Sequence, residues 1–503
     1  MRGKKAILNV LSSLVLQIVV LLSGFIVRKI IIQVYGSDIN GLISSITQFL
    51  GYITLLESGV GPVIKSALYK PIANKNNEEI SNILFSSEKF FKKIAKIFIV
   101  YLLGLAFIYP VIVANQVGYW FTFTLVLIIS ISTFAEYYFG MTYKLLLQSD
   151  QKSYIVSIIQ IVGYIINLIM VVILAKFNCN IHVLKLVTAV IYVIRPITQN
   201  LIVKKLYNID LKNANKDYVL KQKWDGLAQH IAAVIHTNTD MVLLTFASTL
   251  KEVSIYSVYS TVTNGLRLVV QSFNEGIESM FGNMMAQEEN DNLRNRFGTY
   301  EIIFFSVIAI LYSCAFILIT PFVKVYTLNI TDLDYCRPLF GYILIIGEFI
   351  WALRQPYNNL IKSAGRFKET RIGAWIEAGC NIIISLVLIN KFGLVGIAMG
   401  TMISMIIRTT EFIYYANKHI LNRKIIYSIK KIIIMLIQIA LIIVISKYAI
   451  FIEYNSYISW GINAFIVFAY SFIIILICNL IVYPTERRYI LNKLKNFRRK
   501  NWE

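Results

Sequence analysis

Apolar residues along this chain neither alternate with polar ones nor form the one-sided stripe of a helix on a soluble core. They come in long runs. A hydrocarbon layer about 30 Å thick needs about 20 residues of helix to cross it. Fourteen runs meet that need, over 8–34, 40–64, 94–115, 119–143, 154–176, 183–203, 226–248, 253–282, 300–323, 338–361, 372–390, 393–416, 429–451 and 457–483. Several exceed the minimum, so they tilt or continue past the bilayer as helix. Only helices satisfy every backbone polar group within one such segment. The pattern therefore predicts an all-α polytopic membrane protein with about 14 transmembrane helices.

Composition agrees. Apolar residues make up 57% of the chain and charged residues 15%, too few to cover a soluble surface of this size. The start, Met1-Arg2-Gly3-Lys4-Lys5, leads into an apolar run that continues to Val34 with no small-residue cleavage site. It reads as an uncleaved first span rather than a signal peptide. The five cysteines show no metal-ligand spacing, and they read as small apolar fillers.

The net charge of +22 raises the question of nucleic acid, but its placement answers differently. With the N-terminus inside, the inner segments hold 36 of the 49 Lys and Arg residues, the outer ends and loops nine, and the spans four. Such a split follows the positive-inside rule and puts both termini in the cytoplasm. The basic tail, Tyr489 to Lys500, suits an anionic inner surface.

The first six spans are expected to recur as spans seven to twelve. A shift of 214 sets Tyr143 on Tyr357, Leu146 on Leu360, Ser149 on Ser363 and Asn167 on Asn381. A shift near 217 sets Gly59 on Gly276. Copies separated by an even number of spans share orientation, and parallel repeats place a site where they meet. The expected lobes are 1–208 and 209–420. Spans thirteen and fourteen, within 421–503, follow as an appendage.

Charges inside spans are the candidate chemistry, because each costs roughly 2.5–3.5 kcal/mol on insertion scales. Arg28 reads as a ligand for an anionic group, or as a cation snorkelling to the outer interface. Glu57, Gly61 and Lys65 share a helix face in span two, either as a polar wall or as an ion pair. Gly59, Gly61 and Pro62 are expected to loosen the helix there. Asp240 with Asn238 and Thr239 forms a candidate Na⁺ or H⁺ site, the alternative being a polar seam between helices. His236 lies one turn earlier. Arg267 is set mid-membrane, with Glu275 and Glu278 on a similar face as cavity partners or as a structural pair. In span ten Glu348, Trp351 and Gln355 share a stripe that Arg354 does not, and Pro356 interrupts the helix. Arg195 reads as structural, and Arg408 with Glu411 as an ion pair. There is no Walker A motif and no soluble acidic pair, so neither an ATPase nor a glycosyltransferase is indicated. A drug exporter and a membrane polymerase stand as the alternatives to the reading that follows.

Four local patterns carry a resemblance. They are Val34-Tyr35-Gly36 through Gly41-Leu42 with Glu57-Ser58-Gly59-Val60-Gly61, and Asn238-Thr239-Asp240-Met241-Val242-Leu243-Leu244 leading to Val253-Ser254-Ile255-Tyr256-Ser257. The others are the duplicated Leu146 to Ser149 and Leu360 to Ser363, and Gly393-Leu394-Val395-Gly396 through Thr401. With the six-plus-six-plus-two layout, the chain resembles the O-antigen and capsule flippases of the polysaccharide transporter family. That family lies within the multidrug/oligosaccharidyl-lipid/polysaccharide exporter superfamily. The resemblance implies two six-helix lobes in a V, working by alternating access in the bacterial cytoplasmic membrane. It implies a polyprenyl-diphosphate-linked oligosaccharide as substrate and no covalent chemistry. Arg28, Glu57, Lys65, Arg267, Glu275 and Arg354 would then meet the head group. Asn238, Thr239 and Asp240 would take the coupling ion, with no other cofactor. A polysaccharide polymerase and glycosyltransferases would be functional partners, and nucleic acid would not.

Overall fold

The computed structural model describes residues 2–57, 60–211, 213–215, 218, 227–274, 277–287, 290–366, 368–449 and 453–484, and every regular element among them is helical. The first are α1 (Arg2–Tyr35), α2 (Ser37–Gly51), α3 (Thr54–Glu57), α4 (Val60–Ala73) and α5 (Asn77–Ile112). Then come α6 (Tyr119–Ala135), α7 (Met141–Ser149), α8 (Ser153–Lys176) and α9 (Ile181–Leu206). The second series is α10 (Leu227–Ala247), α11 (Leu250–Asn274), α12 (Ile277–Ala286), α13 (Asn290–Tyr326), α14 (Pro338–Leu353), α15 (Gln355–Ser363), α16 (Arg371–Phe392) and α17 (Leu394–Tyr415). The chain closes with α18 (Ile426–Ala449) and α19 (Tyr457–Val482).

Eleven helical segments among the described residues are long and apolar enough to cross a membrane. The other three expected spans are present as helices too, in α10, in α11 and in α14 with α15. The protein is thus an all-α, multi-pass membrane protein. The 36 residues of α5 reach about 54 Å at 1.5 Å per residue, well beyond a hydrocarbon core of about 30 Å. Large apolar side chains point outward along α1 and α19, among them Ile7, Leu11, Ile18, Phe465 and Ile481, as lipid-facing helices require.

Element bounds repeat with the sequence shift. Both α7 and α15 have nine residues, and the shift of 214 carries one onto the other, first residue and last. The paired serines end them alike. Ser149 donates to the Leu145 carbonyl at 2.8 Å, and Ser363 to the Asn359 carbonyl at 2.7 Å. Asn167 and Asn381 are both buried, in α8 and α16. The break before each short helix also repeats. In the first copy it is a wide turn over Glu136–Gly140. In the second, Arg354 stands between α14 and α15, two residues before Pro356, whose ring cannot continue the preceding helix.

Packing divides the chain into two units, Met1–Thr261 with Asn329–Asp334 and Val262–Leu328 with Tyr335–Glu503. The division falls inside α11, past the lobe boundary at 208–209 that the repeat suggests. The reason is local: α10 and the start of α11 are bonded to α2, as described below. Span two also begins earlier than expected, at Ser37, and its helix breaks at Tyr52 and Ile53 rather than at Gly61-Pro62. Ser58 and Gly59 lie outside the described residues.

Candidate functional site

In the first unit, α2 meets α11 at close range. A Cβ added to Gly41 would lie 1.8 Å from the Leu250 carbonyl oxygen, so only glycine allows the approach. A row of polar contacts follows. Asn40 donates to Ser254 Oγ at 2.7 Å and to Ser257 Oγ at 3.0 Å. Ser45 donates to Thr245 Oγ1 at 2.6 Å, since the Thr245 hydroxyl itself donates to the Met241 carbonyl at 2.8 Å, and Gln48 donates to Asn238 Oδ1 at 2.5 Å. Arg28 donates to the Ser257 carbonyl. At the start of α2, the Asp332 carboxylate accepts from the Ser37 amide at 2.7 Å and from its hydroxyl at 3.0 Å. A carboxylate there caps free N–H groups and complements the helix dipole.

The Asn238-Thr239-Asp240 trio is not gathered into a single ligand set. Asn238 accepts from Gln48, Thr239 donates to the Ile235 carbonyl at 2.5 Å, and Asp240 accepts from Tyr256 at 2.9 Å. Successive helical residues point about 100° apart, so three in a row cannot converge. Asp240 itself is buried. The His236 side chain lies outside the described residues. No cluster of three His, Cys, Asp or Glu residues suited to a metal occurs among the described residues.

Glu57 accepts from the Tyr137 hydroxyl at 3.0 Å. Lys65 is half-buried, and no described carboxylate forms an ion pair with it. Tyr137 also lines a cavity of about 390 Å³ between α2, α6 and α9, whose other walls include Thr47, Thr54, Ser132, Thr133, Lys185, Thr188 and Tyr192. Lys185 counted only as an outer-end cation in the sequence, where nothing marked it as facing a hollow.

In the second unit, Arg267 is held by Glu348 in a two-pronged ion pair, Nε and Nη2 each 2.6 Å from a carboxylate oxygen. Its guanidinium also lies 5.1 Å from the Trp351 ring centre. The expected partners were Glu275 and Glu278. Glu275 lies outside the described residues. Glu278 is exposed, and its carbonyl accepts from Ser363 at 2.7 Å. Spacing along one helix relates only residues of that helix, and the partner comes from α14.

Arg354 pairs with Glu377 at 2.5 Å, Glu377 faces Arg408 at 3.7 Å, and Arg408 pairs with Glu411 at 2.5 Å. Two cations and two carboxylates thus alternate across α14–α17. The Arg408–Glu411 pair is as expected, whereas Glu377 was not foreseen. Neither was Glu301. It is fully buried between Arg423 at 2.7 Å and Lys431 at 2.8 Å, and Tyr357 and Ser428 donate to it at 2.8 Å.

Membrane-embedded ion pairs on broken helices mark the chain as a polytopic membrane protein with charge held inside its helix bundle. Comparison with solved structures gives the fold more narrowly. Lipid II flippase MurJ in an inward closed conformation superposes with a TM-score of 0.71 at 14% identity, covering 95% of this chain and 99% of that one. An inward-facing multidrug resistance MATE family transporter of the MOP superfamily gives 0.65 at 12% identity, over 79% and 94%. The Vibrio cholerae MATE transporter VcmN gives 0.55 at 13% identity, over 84% and 99%. These likenesses show a shared fold. No family model matches the chain, and no curated protein matches it in sequence.

Proposed function

We propose that this chain is a membrane flippase that moves a polyprenyl-diphosphate-linked oligosaccharide, a polysaccharide precursor, from the inner to the outer leaflet by alternating access. One observation carries the reading. The lipid II flippase covers 95% of the chain, whereas the MATE neighbours cover 79–84%. The additional helices fit a protein that handles a lipid-linked head group.

Arg28, Glu57, Lys65, Arg267 and Arg354 are the described side chains assigned to the head group, with Glu275 as a further candidate. A guanidinium fork occupied by a carboxylate, as in Arg267 with Glu348, also matches phosphate oxygens. Exchange of one anion for the other would let the diphosphate enter without leaving a bare cation. Asp240 is assigned to coupling by Na⁺ or H⁺, with Tyr256 as its resting partner. No bond is made or broken in the substrate.

The test is reconstitution of the full chain in proteoliposomes with a fluorescent polyprenyl-diphosphate oligosaccharide. Protein-dependent arrival in the opposite leaflet is expected, with Asp240→Asn losing the response to an imposed ion gradient. The second reading, a drug and cation antiporter, draws on the TM-score of 0.65 with the MATE transporter. It predicts gradient-driven efflux of a cationic dye and no lipid transfer.

A further inference from the structure

The cavity between α2, α6 and α9 has an unequal supply of donors and acceptors. Thr47 donates to the Ile43 carbonyl at 2.7 Å, Thr54 to Gly51 at 2.8 Å, Ser132 to Ile129 at 3.2 Å and Thr188 to Leu184 at 3.0 Å. Tyr137 gives its proton to Glu57 at 3.0 Å. Five lining hydroxyls thus spend their protons on the protein and keep lone pairs to offer, as acceptors. The strong donor on the wall is the Lys185 ammonium.

Lys185 is half-buried, and no described carboxylate pairs with it. Among the described residues, the carboxylate bonded to this wall is Glu57, which accepts from Tyr137. Nearly three turns further along α9, Arg195 is stacked on Tyr192 at 3.7 Å and Tyr164 at 4.2 Å, and its Nε and Nη2 find no acceptor among the described residues. Lys185 therefore faces the hollow with no described carboxylate in an ion pair with it. An unpaired charge in a membrane protein is costly, and it marks a place where an anion or water completes the site.

Many acceptors around one cation suit a ligand with many hydroxyl donors and one negative group. At about 390 Å³ the hollow falls at the lower end of small-molecule pockets, about 300–1,000 Å³. Tyr137 and Tyr192 add the aromatic faces that pack against apolar ring faces. We infer that this cavity is a subsite for an acidic sugar unit, whose carboxylate seats on Lys185 and whose hydroxyls donate to the ring of threonine, serine and tyrosine oxygens. The inference rests on the flippase reading and names the class of head group: a saccharide carrying a uronate.

Two synthetic polyprenyl-diphosphate disaccharides, differing only in a terminal glucose or glucuronate, test it in proteoliposomes. The readout is the ratio of glucuronate-lipid to glucose-lipid transfer. Lys185→Met is expected to lower that ratio about tenfold, the worth of one charge-assisted hydrogen bond. Lys185→Arg is expected to keep most of it, and Lys185→Gln replaces the methionine variant if that is not recovered in membranes. An unchanged ratio, equal loss of both lipids, or a wild type that moves the glucose lipid alone overturns the subsite and leaves the flippase reading standing. A wild type that moves neither lipid overturns the flippase reading, and the subsite with it.

Discussion

At the scale of single residues, Arg267 is held by Glu348 from another helix, with two hydrogen bonds of 2.6 Å. Its spacing to Glu278 was visible along one helix, yet its partner Glu348 sits on another, and no periodicity connects them. Asp240 illustrates a reading that helix geometry alone could have corrected, since adjacent residues fan apart. The Arg267–Glu348 pair also sharpens a test. Removing one member of a buried pair costs about 3–5 kcal/mol, because the other charge is stranded. Arg267→Ala is therefore expected to lower membrane abundance and melting temperature, and Arg267→Ala with Glu348→Gln to restore both. Lipid transfer by the stable double variant then isolates the functional role. If it still transfers lipid at the wild-type rate, Arg267 does not serve the head group.

At the scale of elements, the apolar runs located the helices that face lipid and also those that face polar partners. Helix α11 holds Ser254, Ser257 and Arg267, and this polarity is why it falls short of a membrane-span criterion while still packing as a helix. The contact it makes with α2 is tested at Gly41. Gly41→Ala places a methyl group against backbone at Leu250, and overpacking of this kind costs typically about 1–3 kcal/mol. A lower melting temperature in detergent is expected, whereas Gly24→Ala, which meets nothing within 4 Å, should leave it unchanged. A second contact lies outside the membrane. Asp150, in the turn between α7 and α8, is ion-paired with Lys152 at 2.7 Å and accepts from Tyr207 at 2.5 Å. Burial works against its charge, but the bonds from Lys152 and Tyr207 outweigh burial and hold its carboxyl below the usual range. A depressed carboxyl stabilises the fold above its unfolded value, about 3.9, and that contribution is lost as pH falls through the lower folded value. Asp150→Asn should melt below wild type at pH 7, with the gap closing under strong acid. A gap that persists there would mean that Asp150 acts through something other than its charge.

At the scale of the whole molecule, the repeat was legible in its landmarks, because the shift of 214 read from the sequence carries α7 onto α15. The shift that pairs Ser149 with Ser363 also pairs the helices that end on them. Orientation in the membrane rests on the distribution of cations, and it is tested by labelling cysteines in a background without the native five. Asn178, exposed in the turn after α8, should react with an impermeant reagent from outside, and exposed Asn213 should not. Reaction at Asn213 in intact cells would reverse the orientation. Asn40, which the sequence placed at an outer boundary, is buried against Ser254 and Ser257 and cannot serve as a reporter.

The buried Glu301 has a bearing on truncation. The two cations that neutralise it, Arg423 and Lys431, come from the segment that begins the last pair of helices. A chain cut before Arg423 would keep the carboxylate and lose both cations, leaving an uncompensated charge inside the protein. The last two helices are thus tied to the rest of their unit by charge, and a shortened protein is expected to need Glu301 neutralised before it can fold.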